Sequence, residues 1–289
     1  MSGERYQVVI VGAGLVGAAA ALALGRQGVR VALVERRLPP PPGAAWDTRI
    51  YAISPASQRF LERIGAWHRL DGGRIQPVFR MDVAGDEGGA VRVDPFQAGG
   101  PRLPDNRPSG HPQSALWQAI EADGNVALRC PATIESLVRD GASTQLTLAD
   151  GTAIEAELIV GADGAASRIR DWAGLAATLA PYGQSGVVAN FECGRAHRGT
   201  AFQWFFDSDI LAWLPLSGNC VSMVWSTRSA HADALLMLEP AALAEKVRAA
   251  GHERLGELRL LTPAAAFPLR LIRVAAAVAP GVALIGDAA

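Results

Sequence analysis

The sequence predicts a mixed α/β protein in two parts: a Rossmann-like unit with helices on a parallel sheet, and an antiparallel β-sheet domain. Three observations predict it. A short β-branched run, Gln7-Val-Val-Ile-Val11, leads directly into Gly12-Ala13-Gly14-Leu-Val-Gly17. An alanine-rich stretch and a second strand-like run follow, and that run ends on Glu35. Farther along, residues 184–225 hold several β-like runs broken by turn residues such as Ser217-Gly-Asn219, the pattern of an antiparallel sheet.

Val8 to Gly25 contains no charge over 18 residues, a length that raises a membrane helix or a signal peptide. The internal order of the segment argues against both. Gln7–Val11 suits a strand buried on both faces, and Ala18–Gln27 reads as a small-residue helix stopped by Gly28. Arg30–Val34 is a second strand, and Glu35 lies 18 positions after Gly17. Each residue type has a physical task. Gly12 permits a tight turn, Gly14 lets the backbone approach a pyrophosphate, and Gly17 allows close helix–strand packing. The helix N-terminus offers free N–H groups and a positive dipole end to phosphates. Glu35 is able to accept hydrogen bonds from the ribose hydroxyls of an adenosine. A lone G-x-G-x-x-G is a weak signal; strand, helix and acid in register make it a strong one for a dinucleotide, without separating FAD from NAD.

Beyond this unit, Pro39–Pro42 excludes helix and central strand and marks an extended loop. Ser54 is a candidate N-cap, Pro55 the first helical residue and Gly65 the stop. Residues 72–108 are rich in Gly and Pro with short β-like runs, an excursion from the first unit. Ala115–Ala122 reads as a helix and Val126–Cys130 as a strand. Three alternating runs, 134–139, 144–149 and 153–160, are joined by Asp140-Gly141 and Asp150-Gly151, strong hairpin signals. Pro240–Ala250 is predicted helical, and Gly281–Ile285 is a final buried strand leading to Gly286-Asp287.

Composition bounds the function. With 289 residues, 49% hydrophobic and 19% charged, at mean hydropathy +0.16, the chain is neither disordered nor fibrous, and two domains are expected. Net charge is −1 and Lys246 is the only lysine, so no sequence-wide basic field exists for nucleic acid. Cys130, Cys193 and Cys220 are far apart and the histidines scattered, so no metal site is expected and reduced thiols in a cytoplasmic protein are the simplest reading. P-loop and G-x-S-x-G patterns are absent.

Three spaced elements coincide: the fingerprint with Glu35, Gly161-Ala-Asp163-Gly-Ala-Ala-Ser-Arg-Ile-Arg170, and Ile285-Gly286-Asp287-Ala-Ala289. Together they resemble the class A flavoprotein monooxygenases, whose G-x-G-x-x-G, "DG" and "GD" motifs surround one FAD. Asp47-Thr-Arg49, Tyr51-Ala-Ile-Ser54, Leu214-Pro-Leu216, Val224-Trp-Ser226 and Phe267-Pro-Leu269 look like the ubiquinone-biosynthesis hydroxylase branch (UbiH/UbiF/VisC type). The resemblance covers nearly the whole chain. It implies a PHBH-like fold, with a discontinuous FAD domain (1–71, 109–180, 270–289) and a substrate domain (72–108, 181–269).

Carried over residue by residue, the resemblance implies cofactor contacts at Gly12, Ala13, Gly14, Gly17, Glu35, Arg36, Arg49, Asp163, Gly286 and Asp287. Gln113 fits a family glutamine that touches the flavin, although the preceding Arg107-Pro-Ser-Gly-His-Pro112 departs from the family's Glu-Asn-Arg pattern. The implied reaction uses FAD, with NAD(P)H as co-substrate, to hydroxylate a hydrophobic polyprenylated phenol with O2. Flavin-borne chemistry accounts for the lack of any outstanding catalytic side chain. Trp204, Phe205, Trp213 and Trp225, with Phe202, are candidates to line the substrate, against the alternative of an ordinary sheet core. No transmembrane segment is expected; peripheral association with a membrane or a multi-enzyme complex is compatible with the resemblance. In the family a helix follows Gly-Asp, so the sequence reads as most of such an enzyme, truncated after Ala289. A catalytically inactive remnant acting as a binding partner, or a flavin oxidase or reductase on the same fold, are the competing expectations.

Overall fold

The computed structural model describes residues 4–40, 50–94, 105–108, 110–140 and 143–289. Its first strand, β1 (Glu4–Val11), is followed by α1 (Leu15–Gly25) and β2 (Val31–Val34), the last buried at every position. The helix begins three residues before the predicted start and ends at Gly25; Gly28 takes φ +81° in the turn beyond it. β3 (Ile50–Ile53) and α2 (Pro55–Arg63) come next, and the Ser54 side chain accepts the Ser57 N–H at 3.1 Å, the cap foreseen from the sequence. β4 (Gln76–Pro77), β5 (Arg80–Ala84), β6 (Ala90–Val93) and β7 (Asp105–Pro108) form the excursion, and the chain returns through α3 (Gly110–Asp123) and β8 (Val126–Arg129). β9 (Ile134–Asp140), β10 (Ser143–Leu148) and β11 (Ala153–Gly161) are the predicted antiparallel ladder, and Gly151 turns at φ +85°. α4 (Arg168–Trp172), which periodicity did not announce, precedes the long β12 (Ala177–Cys193). Then follow β13 (Thr200–Phe206), β14 (Asp209–Leu216), β15 (Cys220–Arg228), α5 (Ser229–Leu236) and α6 (Pro240–Ala250). β16 (Leu258–Leu260), β17 (Ala265–Val274), β18 (Val278–Ala279) and β19 (Val282–Leu284) complete the fold.

The first sheet runs β18-β19-β11-β1-β2-β8, and its β19-β11-β1-β2-β8 part is parallel. Both faces are covered, which explains the unbroken apolar reading of β1. Val8 and Ile10 pack toward α1 and α3 with Leu22, Leu116 and Trp117. Val9 and Val11 face the opposite layer with Leu146, Ile159, Ile169 and Leu284. β1, β2 and β11 thereby end at the same level, and the loops that follow them gather there.

The second sheet runs β16-β12-β15-β14-β13-β5-β6, with β17 also on β12, and a small sheet β3-β7-β4 stands apart. Cross-strand register fixes which side chains share a face: Trp204 sits opposite Leu211 and Leu211 opposite Trp225, while Phe202 faces Trp213 and Trp213 faces Met223. That row packs beneath α5 and α6, with Ala232, Leu235, Leu243 and Val247.

This corrects the substrate-lining expectation. Trp204, Trp213 and Trp225, at 4%, 0% and 4% exposure, are core, and Phe202 is buried with them. The reason is the period of two along a strand. Phe205, one residue from Trp204, points to the opposite face and is 42% exposed. That open face also carries Ile210, in register with Phe205, and Phe267, both exposed. The aromatic density was legible in sequence; which face the helices cover was not. Gly251 in the turn after α6 lies so close to the indole that a Cβ there would meet Trp213 at 2.0 Å.

Candidate functional site

The loops after β1, β2 and β11 enclose a cleft. Gly12 adopts φ +99°, and a Cβ on it would sit 2.4 Å from the Ala162 carbonyl oxygen, so both conformation and space demand glycine. A Cβ on Gly17 would lie 1.9 Å from the Gly12 carbonyl oxygen, which fixes how closely α1 crosses its turn. Gly14 is the contrary case: among the described residues nothing stands within 4 Å of where its Cβ would be. That open position lies at the N-cap of α1, which has no side-chain cap and no acidic residue in its first turn. Among the described residues no side chain takes the N–H groups there, and the helix dipole at that end favours an anion.

Glu35 follows the last residue of β2, where its N–H donates to Arg129 at 2.9 Å and its carbonyl accepts from Ala132 at 2.8 Å. Its carboxylate accepts the Ala13 N–H at Oε2 (2.8 Å) and the Arg37 N–H at Oε1 (3.1 Å). Each carboxylate oxygen retains acceptor capacity beyond these bonds. Two adjoining cavities meet at Gly12, Glu35 and Asp163. One, of about 660 Å3, is bordered by Gly14, Tyr51 and Gln113; the other, of about 290 Å3, by Arg36, Thr133, Arg168 and Trp172. The two-chambered shape, an uncapped helix N-terminus and an acid at the strand end together fit a dinucleotide with its diphosphate at Gly14.

Asp163 borders both chambers, and its carboxylate also organises the turn beneath them. Oδ1 accepts the Ser167 hydroxyl; Oδ2 accepts the N–H groups of Arg168 (2.8 Å) and Ile169 (3.3 Å) at the start of α4. Ser167 in turn caps the Arg170 N–H at 3.0 Å. Asp163→Ala is therefore expected to lower stability by about 1–2 kcal/mol through the lost caps, measured as a lower urea midpoint in the absence of cofactor. An unchanged midpoint would refute the capping role.

The remaining predicted residues fall as follows. Arg36 is exposed at the rim of the smaller chamber. Gly286 and Asp287 form a 3-10 turn after β19, and the Gly286 Cβ position is 3.2 Å from Val16, so the GD motif stands beside the start of α1. Asp287 is exposed there. Arg49 and Asp47 lie outside the described residues. Gln113 reaches the glycine-rich turn, donating to the Ala13 carbonyl at 3.1 Å. Sequence reasoning missed three participants. Trp117 donates to the same carbonyl, and the Arg168 guanidinium stacks 4.3 Å from the Trp172 ring centroid against the smaller chamber. The only sequence signal for Trp117 is its position one helical turn after Gln113.

Among the described residues that border the two chambers there is no cysteine. Burial pushes the Cys193 thiol up to about 12, leaving almost no thiolate at neutral pH. Iodoacetamide at pH 8 is expected to leave Cys193 unmodified in folded protein and to label it after denaturation, read by peptide mass spectrometry. Labelling of the native protein at the denatured rate would contradict its burial. Among the described residues no helix is long and apolar enough to cross a membrane.

Comparison with known proteins agrees with this geometry. The FAD binding domain family matches residues 5–289. The 3-demethoxyubiquinol 3-hydroxylase of Escherichia coli (strain K12) is 34% identical over 100% of this chain and 74% of its own length. The ubiquinone hydroxylase UbiL of Rhodospirillum rubrum is 35% identical over 98% of this chain, which spans 66% of that relative. Among solved structures, P. aeruginosa PqsL in complex with 2-aminobenzoylacetate superposes with a TM-score of 0.82 at 21% identity, over 99% of this chain and 79% of that one. The ternary complex of aklavinone-11 hydroxylase with FAD and aklavinone gives 0.74 at 21%, over 100% and 58%. These structural likenesses establish the shared fold.

Proposed function

Since this chain belongs to the FAD binding domain family of class A flavoprotein monooxygenases, we propose that it hydroxylates the aromatic ring of a polyprenyl-phenol intermediate in ubiquinone biosynthesis, with NAD(P)H as co-substrate. The observation that carries the reading is identity of 34–35% with two ubiquinone-ring hydroxylases along nearly all of this chain, in a fold whose cleft is shaped for a dinucleotide.

Bound FAD would supply hydride acceptance and O2 activation. The protein's own tasks are positional. In this reading the first turn of α1 would direct N–H groups at the diphosphate, Glu35 would accept from the adenosine ribose, and Asp287, next to Gly286 at the start of α1, would hold the flavin side. The division of the chain into an FAD domain (1–71, 109–180, 270–289) and a substrate domain (72–108, 181–269) follows from this reading. Within it, the phenol would lie on the open face of the second sheet, where Phe205, Ile210 and Phe267 offer apolar surface to a ring and exclude water. A polyprenyl tail partitions into lipid, so a cytoplasmic protein acting on it would work at a membrane surface or within a complex that delivers the substrate.

Purified protein is expected to be yellow, with NADH oxidation that rises on adding a prenylated phenol and yields hydroxylated product by mass spectrometry. Colourless protein that FAD cannot reconstitute would reject the reading in favour of a binding partner. NADH consumption yielding only peroxide with every phenol would favour an oxidase. Asp287→Ala, at an exposed position, is expected to leave the cofactor-free melt unchanged and to weaken FAD retention about tenfold, the scale of one charge-assisted hydrogen bond. Equal retention would remove Asp287 from the cofactor site.

A further inference from the structure

Ala13 is held from both sides. Its N–H donates to Glu35 Oε2 at 2.8 Å, which fixes the peptide joining residues 12 and 13. Its carbonyl oxygen accepts two side-chain donors from α3, Gln113 Nε2 at 3.1 Å and Trp117 Nε1 at 3.0 Å, which fix the peptide joining residues 13 and 14. Gln113 and Trp117 are four residues apart and share one face of the helix. A peptide unit is planar with its carbonyl and N–H opposed. Fixing the Ala13 carbonyl toward α3 therefore fixes the Gly14 N–H in the opposite direction. Gly14 N–H donates to no protein group among the described residues, and Gly14 borders the larger chamber with nothing within 4 Å of its Cβ position.

Of the two donors, Trp117 is the more firmly placed. It is 4% exposed, packed in the layer between α1, α3 and the first sheet, whereas Gln113 is half-buried and borders the cleft itself. Packing alone does not require an indole N–H at this place; a phenyl ring fills most of the same volume.

We infer that Trp117 is a positioning residue for the cofactor diphosphate: with Gln113, its indole N–H locks the Ala13–Gly14 peptide so that the Gly14 N–H is presented to the ligand. The inference rests on the dinucleotide reading of the cleft. It adds a remote side chain, outside the glycine motif, that sets how well the motif binds. Without it the turn still forms, because Gly12 and Gly17 shape it, but the peptide is free to rotate and its reorientation opposes binding.

The test is a comparison of ligands. Trp117→Phe keeps a ring and deletes the donor, and Trp117→benzothienylalanine keeps the bicyclic shape without an N–H. Both are expected to leave the cofactor-free melt within a few degrees of wild type. Both should weaken FAD and ADP by the same factor, roughly five- to tenfold for one lost hydrogen bond, as read by fluorescence or calorimetric titration. Adenosine, which has no diphosphate, should bind as to wild type. The double change Trp117→Phe with Gln113→Leu should lose more than either alone. Unchanged ADP and FAD affinity in both single variants would overturn the inference. So would an equal loss for adenosine, which would mean a general loosening of the site. The ADP comparison decides the matter even if wild-type protein takes up no flavin, a result that would count against the proposed function alone.

Discussion

Gly14→Val is expected to abolish stable FAD binding while sparing the cofactor-free fold. Valine is compatible with the backbone at this position, φ −67° and ψ −172°, and its Cβ meets no atom of the described residues within 4 Å. The folded protein therefore loses no more than about 1 kcal/mol, the difference between glycine and a β-branched residue at an N-cap. The ligand pays the larger penalty, because the side chain fills the space through which a diphosphate approaches the N–H groups of the turn. Loss of two charge-assisted hydrogen bonds corresponds to about 3 kcal/mol, or roughly a hundredfold in affinity. Gly17→Ala should behave in the opposite way. Its Cβ would stand 1.9 Å from the Gly12 carbonyl oxygen, which is backbone and unable to swing aside. The expected cost is at the upper end of the roughly 1–3 kcal/mol of overpacking, visible as a lower urea midpoint without any cofactor. FAD retained by Gly14→Val would show that the cleft is not where the diphosphate lies, and equal urea midpoints for the two variants would show that Gly17 does not set the helix–turn contact.

Trp213→Ala is expected to destabilise the protein by about 3–5 kcal/mol, the range for deleting a large buried aromatic side chain. The indole is fully buried, stacked edge-on to Trp204 at a centroid separation of 4.9 Å and closed over by Gly251. Its partner experiment is Phe205→Ala on the open face. That change should leave the melt within about 0.5 kcal/mol, as surface substitutions do, and raise KM for a prenylated phenol roughly tenfold, as expected for about 1.4 kcal/mol of lost apolar contact. A stable Trp213→Ala protein with a raised KM would restore the indole to the substrate site and reverse the assignment of the two faces.

The first unit was readable because its determinants are local. Gln7–Val11, the three glycines and Glu35 are contiguous enough that turn geometry, helix start and strand end constrain one another within a few dozen residues. The Ser54–Pro55 cap and the Asp150-Gly151 hairpin were readable for the same reason. What lay beyond the sequence depends on pairing. The Gln113 carboxamide and the Trp117 indole meet the Ala13 carbonyl across separations of 100 and 104 residues, and no local pattern announces that. α4 was equally silent, because five residues capped by Asp163 and Ser167 owe their helix to side-chain acceptors more than to periodicity.

By itself, then, the sequence determined an α/β chain with a dinucleotide turn at Gly12–Gly17, an acid at Glu35 and an antiparallel sheet rich in aromatic residues. Those features follow from backbone sterics and short-range periodicity, which act on neighbouring residues. Tertiary structure alone decided which face of that sheet α5 and α6 cover, and so sent Trp204, Trp213 and Trp225 into the core and left Phe205 outside. A strand presents two chemically similar faces, and only the partner packed against it makes one of them the interior.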